Sequence, residues 1–271
     1  MDIPRAKKRL GQNFLVDETY ARRIVGALAP TADETVVEIG PGRGALTALL
    51  LEDAGRVVAV EFDRELAPVL RAKFALRDNF VLVEADALEV DFCQVVAPAA
   101  SARLVANLPY NISTAILQRL IGQRRCITEM VLMLQREVVE RITAAPGSGE
   151  RGYLSVLVEA FCEAERLFDV PPGAFRPVPK VTSTVVRLRA RSAPAVEEVG
   201  EDFFLALVGA GFAQRRKTIQ NNLRAAPDAL RARVEAAGGP ARLLGAAGVD
   251  ARRRPETLTL DEWLALARLI S

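Results

Sequence analysis

Val36-Val37-Glu38-Ile39-Gly40-Pro41-Gly42-Arg43-Gly44-Ala45 reads as a buried strand, a glycine-rich turn and the start of a helix. Consecutive branched apolar residues suit a strand covered on both faces, as in a parallel sheet. Glycines in the turn let a ligand approach the main chain and supply φ > 0 where it is needed. The segment also satisfies G-x-G-x-x-[GA], the dinucleotide fingerprint, and Glu61 stands about 20 residues further on, where a carboxylate would meet ribose hydroxyls. A nicotinamide oxidoreductase and a plain strand-to-helix turn without ligand are both open at this point.

The same rhythm runs on either side. Short β-branched runs ending at Gly, Asp, Asn or Pro predict strands over 35–39, 57–61, 80–84, 103–106 and 130–134. Between them, 45–54, 64–74 and 114–121 carry Leu, Ala and Arg at helical spacing. This alternation predicts a doubly wound α/β sheet. Further on, Gly147-Ser148-Gly149 reads as an exposed turn, 153–161 as either helix or strand, and 181–188 as a strand. Residues 191–200 read as a linker, after which the pattern is helical over 203–212, 218–223, 229–236 and 260–270. The expected organisation is therefore a ligand-binding α/β domain with an N-terminal arm over 1–192 and a small all-helical domain over 193–271.

Composition narrows the chemistry. The 271 residues contain no histidine, which removes Ser-His-Asp and Cys-His hydrolases and His-ligated metal sites together. Cys93, Cys126 and Cys162 are far apart in sequence, without zinc-site spacing and too few for a disulfide framework, so no metal is expected. No apolar run reaches the roughly 18 residues of a membrane span, and the basic start has no apolar segment behind it; a cytoplasmic monomer is the expectation. A net charge of +2 does not announce a nucleic-acid binder, but the basic residues cluster at Arg5-Lys7-Lys8-Arg9, Arg215-Arg216-Lys217 and Arg252-Arg253-Arg254.

Polar groups follow successive strands: Glu61 after the second, Asp86 in Glu84-Ala85-Asp86-Ala87 after the third, and Asn107-Leu108-Pro109-Tyr110 after the fourth. Ligands of such sheets bind at the carboxyl ends of the strands, and the set favours one nucleoside-type cofactor. S-Adenosylmethionine suits it. Glu61 would accept from both ribose hydroxyls and Asp86 from the adenine amine, while Gly40 and Gly42 would let the methionine part lie against main chain. Phe62, Ala87 and Leu88 are the apolar neighbours of the adenine ring. The Asn107 turn points to an amine acceptor. An exocyclic adenine nitrogen is a poor nucleophile because its lone pair is delocalised into the ring. The Asn107 side-chain oxygen and a carbonyl at Leu108 or Pro109 would each take one amine hydrogen and aim the lone pair at the methyl. Tyr110 would stack on the base, an interaction of roughly 1–3 kcal/mol.

Six blocks resemble the ribosomal RNA adenine dimethyltransferase family: Leu10-Gly11-Gln12-Asn13-Phe14-Leu15, the Glu38 to Ala45 loop, Asn107 to Thr114, Met133 to Val138, Pro171 to Val181 and Phe212 to Thr218. The likeness covers nearly the whole chain. It implies a Rossmann-like S-adenosylmethionine-dependent methyltransferase fold with a C-terminal helical domain that docks on RNA or the ribosome. Asn13, Leu15, Gly40, Glu61, Asp86 and Asn107 would then be cofactor contacts. Within the family the blocks are most similar to the small-subunit group. That implies dimethylation of two adjacent adenosines in the 3′-terminal hairpin of 16S rRNA, within an immature 30S subunit. The large-subunit, macrolide-resistance group shares the cofactor motifs and ranks second, beside a non-catalytic RNA-binding assembly factor. Phe175 is a candidate second wall of the base pocket or a core aromatic, the arm at Gln12-Asn13-Phe14 a cover for the cofactor, and Arg215, Arg216 and Lys217 candidate phosphate contacts.

Overall fold

A computed structural model describes residues 4–7 and 10–271, so Lys8 and Arg9 of the first basic cluster lie outside the described residues. The chain opens with strand β1 (Phe14–Leu15) and helix α1 (Glu18–Leu28). Asp17 caps α1 by accepting the Thr19 N–H at 2.9 Å, and Ala21, Ile24, Val25 and Leu28 form its buried stripe. The alternation then runs β2 (Thr35–Ile39), α2 (Ala45–Asp53), β3 (Arg56–Glu61), α3 (Leu66–Lys73) and β4 (Phe80–Glu84). It continues through α4 (Phe92–Val96), β5 (Ala102–Asn107), α5 (Ser113–Gly122) and β6 (Ile127–Gln135). After α6 (Arg136–Ile142) and α7 (Tyr153–Phe161) come β7 (Cys162–Val170), the two-residue β8 (Phe175–Arg176) and β9 (Ser183–Ala190). The five expected early strands all form. The segment 153–161, left open between helix and strand, is helical because it is buried nearly all round while its Gly152 N–H bonds to the Ser155 hydroxyl at 2.9 Å.

Seven strands make one sheet in the order β4-β3-β2-β5-β6-β9-β7. The first five are parallel to their neighbours, and β9 runs antiparallel to β6. All five residues of β2 are buried, Glu38 among them, and each of Val36 and Val37 contributes about 1.5–3 kcal/mol of burial. Chain order reverses between β2 and β5. The crevice at the carboxyl ends of these two strands is where a doubly wound sheet takes its ligand.

The described residues up to Val139, together with Glu163–Ala190, form one compact unit; Glu140–Cys162 and Arg191–Ser271 form the other. The second unit thus includes 140–162, a stretch expected in the first domain. Its Gly147 N–H donates to the Glu256 carbonyl at 2.9 Å, and Tyr153 lies against Gly209. Besides α7, the unit contains α8 (Glu201–Gly211), α9 (Ile219–Arg224), α10 (Asp228–Ala236), α11 (Pro240–Ala246) and α12 (Leu260–Arg268). Trp263 is fully buried among them, and a side chain at Gly211 would run into its ring. The expected linker over 191–200 is not a free tether: Ala195–Glu198 forms a 3-10 turn that buries Val196.

The cysteine reading needs the same kind of correction. Cys93 and Cys126, 33 residues apart, meet with Cα atoms 5.2 Å apart and bonded sulfurs, because α4 and the start of β6 converge in space. Cys162 is buried. No helix among the described residues is long and apolar enough to cross a membrane, and those residues include no cluster of potential metal ligands.

Candidate active site

The carboxyl edge of the sheet opens into a cavity lined by Leu10 to Phe14 of the arm, Ile39, Gly40 and Gly42 after β2, and Val60 to Phe62 at the end of β3. Ala85 to Leu88 after β4 and Asn107 to Ile112 after β5 complete most of the wall. All three turn glycines have positive φ: +66° at Gly40, +59° at Gly42 and +74° at Gly44. At Gly42 the requirement is doubled, since a Cβ would also sit 2.9 Å from the Phe14 ring.

Glu61 is 6% exposed, and its two oxygens are held by main-chain donors, Gly42 N–H at 3.1 Å and Asp63 N–H at 2.8 Å. Burial raises its pKa above the ordinary carboxylate value, although these bonds oppose the shift. A carboxylate has about four acceptor positions, so those left over suit a pair of vicinal hydroxyls. Behind it lies Glu38, wholly buried and bonded by the Thr47 hydroxyl at 2.6 Å. Burial pushes Glu38 up to about 7, with the neighbouring Glu61 charge adding to the effect.

Asp86 accepts the Leu88 N–H at 2.9 Å, which orients its carboxylate at the rim. Phe62 is 56% exposed and, with Ala87 and Leu88, supplies an apolar surface on the cavity wall. An exposed aromatic there costs burial unless a flat ligand covers it. The residues fit a nucleoside cofactor with a charged tail: hydroxyl acceptors at Glu61, a polar rim at Asp86, an open aromatic at Phe62 and a cradle of glycines that side chains would fill.

In the turn after β5, the Asn107 amide donates from Nδ2 to the Asn13 carbonyl at 3.1 Å. That bond directs Oδ1, an acceptor, away from the arm. The Pro109 carbonyl accepts the Ile112 N–H at 3.3 Å within the turn. Tyr110 lines the cavity, half-buried, with its hydroxyl 2.8 Å from Ser183 Oγ on β9. Burial raises the Tyr110 pKa, so the ring is neutral at physiological pH.

The structure thus brings together Asn13, Gly40, Gly42, Glu61, Phe62, Asp86, Ala87, Asn107, Leu108, Pro109 and Tyr110. It does not bring in two others. Leu15 pairs with Phe175 across the β1–β8 ladder, and both are buried in the core beneath the arm. Phe175, 1% exposed, is therefore core rather than a wall of this cavity. In the helical unit, Arg215, Arg216 and Lys217 form an exposed turn just before α9, and Arg215 donates to the Gly149 carbonyl at 2.6 Å. Sequence reasoning missed Asp63, Lys7, Ser183 and Thr47. Of these only Asp63 carried a local signal, two residues beyond Glu61 in the same loop.

The chain resembles known proteins over nearly its whole length. Residues 3–265 match the sequence profile described as ribosomal RNA adenine dimethylase. The chain is 45% identical over 269 residues to the ribosomal RNA small subunit methyltransferase A of Acidobacterium capsulatum, covering 97% of this chain and 91% of that one. It is 42% identical over 266 residues to the protein of the same name from Saccharophagus degradans, covering 98% and 95%. The solved 23S rRNA methyltransferase ErmE superposes with a TM-score of 0.68 at 29% identity, covering 95% of this chain and 99% of that one. A dimethyladenosine transferase from Plasmodium falciparum has the same fold, with a TM-score of 0.79 at 24% identity over 93% and 95%.

Proposed function

The chain belongs to the ribosomal RNA adenine dimethylase family, and from that premise we propose that it dimethylates two adjacent adenosines in the 3′-terminal hairpin of 16S rRNA. Its relatives at 42–45% identity carry the small-subunit name, which favours that substrate over the large-subunit one. Late 30S assembly intermediates in the cytoplasm are the substrate, and the enzyme acts as a monomer.

S-Adenosylmethionine bound in the cavity supplies an electrophilic methyl on a sulfonium sulfur. Glu61 and Asp86 would hold its ribose hydroxyls and adenine amine, Gly40 and Gly42 would border its methionine part, and Asn13 would belong to the cover. The observation that carries the reading is the Asn107 turn. With Nδ2 engaged by the Asn13 carbonyl, Oδ1 is the acceptor presented to an incoming amine. Because the Pro109 carbonyl serves the turn itself, the Leu108 carbonyl is the second acceptor. These two oxygens would take the two hydrogens of the adenine N6 and leave its lone pair free to accept the methyl that the sulfonium would supply. The alkylated nitrogen then loses a proton to water. In the second transfer only one N–H remains, so one acceptor holds the amine while the first methyl occupies the other position. Tyr110 stacks on the base, and extruding a paired adenosine costs a few kcal/mol.

The test is incubation with labelled donor and immature small subunits from an unmethylated strain. Dimethyladenosine in 16S RNA is expected, label on 23S RNA instead would favour the large-subunit reading, and no label with intact RNA binding would leave a non-catalytic assembly factor. Asn107→Ala should lower transfer by about 100-fold or more at saturating donor. Undiminished turnover in that variant would exclude the proposed role.

A further inference from the structure

The arm is fastened over the cavity at several points, one of which is a buried carboxylate. Asp63 is 4% exposed, and its two oxygens take different arm residues: Oδ1 accepts from Lys7 Nζ at 2.6 Å and Oδ2 from Gln12 Nε2 at 2.9 Å. Gln12 in turn accepts the Lys7 main-chain N–H at 2.8 Å, which closes the loop of contacts, and Glu65 adds a second anion 3.0 Å from Lys7. Burial alone would raise the Asp63 pKa, but the bonds from Lys7 and Gln12 hold it below the ordinary value. The same residue reaches into the cofactor site, because its own N–H donates to Glu61 Oε1. Further along, the arm is bonded to the transfer turn through Asn107 and the Asn13 carbonyl. Near Gly42, Phe14 lies under the Arg43 guanidinium, 4.6 Å from the ring centre.

Resting on the cofactor reading above, we propose that Asp63 is a positioning residue for the methyl donor, the pin that keeps Lys7 and Gln12 closed over the occupied cavity and so sets how fast the donor leaves. Removing Lys7 leaves a buried anion with one fewer partner, and losing one member of such a pair acts mainly on dissociation. The arm covers the donor side of the cavity, so the effect falls on donor retention and not on the transfer step.

The experiment measures donor affinity by titration calorimetry and donor dissociation by stopped flow, for the full-length protein and for Lys7→Met, Lys7→Arg and Asp63→Asn. Expected are a dissociation rate and a donor KM about tenfold higher in Lys7→Met, with its kcat at saturating donor unchanged. Lys7→Arg should recover most of the loss, the Lys7→Met/Asp63→Asn double variant should be no weaker than the weaker single one, and amides of 10–14 should exchange faster when the donor is bound. Lys7→Met covers the case in which Asp63→Asn fails to fold, since Lys7 lies on the partly exposed arm. If the unaltered protein binds the donor and Lys7→Met binds it with the same affinity and dissociation rate, the pin is overturned and the cofactor reading stands. If the unaltered protein does not bind the donor at all, both fall.

Discussion

Glu38 and Glu61 end neighbouring strands of the same sheet, yet their environments assign them different work. Glu61 keeps main-chain donors on both oxygens and borders the cavity, whereas Glu38 is sealed behind it and held by Thr47. With its pKa at about 7, Glu38 holds a proton in the folded chain that it lacks when unfolded, where the carboxyl titrates near roughly 4.3. The native state therefore binds more protons across that window, and this group's contribution to stability falls as pH rises from about 4.3 to 7, by up to about 1.4 kcal/mol per pH unit. Glu38→Gln keeps the shape and removes the titration. Its melting temperature should change less between pH 5 and 8 than that of the unaltered protein. Equal pH slopes in the two proteins would show that Glu38 is ionised throughout. The carboxyl was visible in the Val36 to Ala45 segment, but its isolation was not, because the partner hydroxyl comes from Thr47 on the next helix.

Elements whose patterning is local were legible, and those made by distant pairing were not. The Val-rich strands announce themselves, and β2 and β4 span the residues expected of them. Helix α11 lies outside the helical segments expected from the sequence, and it starts at Pro240, where proline is well suited to the first position of a helix. In α1 the stripe of Ala21, Ile24, Val25 and Leu28 was present but interrupted by Arg22, Arg23 and Gly26. Phe175 is the clearest case of long-range dependence: its neighbour Leu15 is 160 residues away, and no local pattern records the β1–β8 ladder. If Phe175 is core, Phe175→Ala should cost about 3–5 kcal/mol of stability, with donor affinity and per-molecule turnover preserved well below the melting point. A wall of the base pocket would behave in the opposite way, with normal melting and a raised KM for RNA.

A net charge of +2 on 271 residues leaves attraction for RNA to local clusters, and among the described residues three of the clustered cations are paired with carboxylates. Lys7 is paired with Asp63 and Glu65, Arg252 with Asp250, and Arg253 with Glu262 and Thr257. Arg215 is anchored at Gly149, and the turn that carries it is braced by Asn222, whose Nδ2 donates to the Gly211 and Gln214 carbonyls at 2.6 and 3.2 Å. Arg216 and Lys217 are exposed cations on the same turn. We propose this turn as a contact to the RNA backbone, because a positive charge held in place meets a phosphate without first losing side-chain and loop freedom. Each phosphate contact contributes about 0.7–0.9 to the slope of log affinity against log salt. Replacing Arg216 and Lys217 by alanine should therefore reduce that slope for small-subunit binding by about 1–2 and weaken binding most at low salt. Arg253→Ala should instead lower the melting temperature, because it removes the partner of Glu262 and a bond to Thr257, with the salt slope of the remaining folded protein unchanged. Salt titrations of subunit binding for the two variants, set beside their melting curves, separate a contact surface from an internal strut, and a slope unaltered by the Arg216 and Lys217 replacements would remove this turn from the RNA interface.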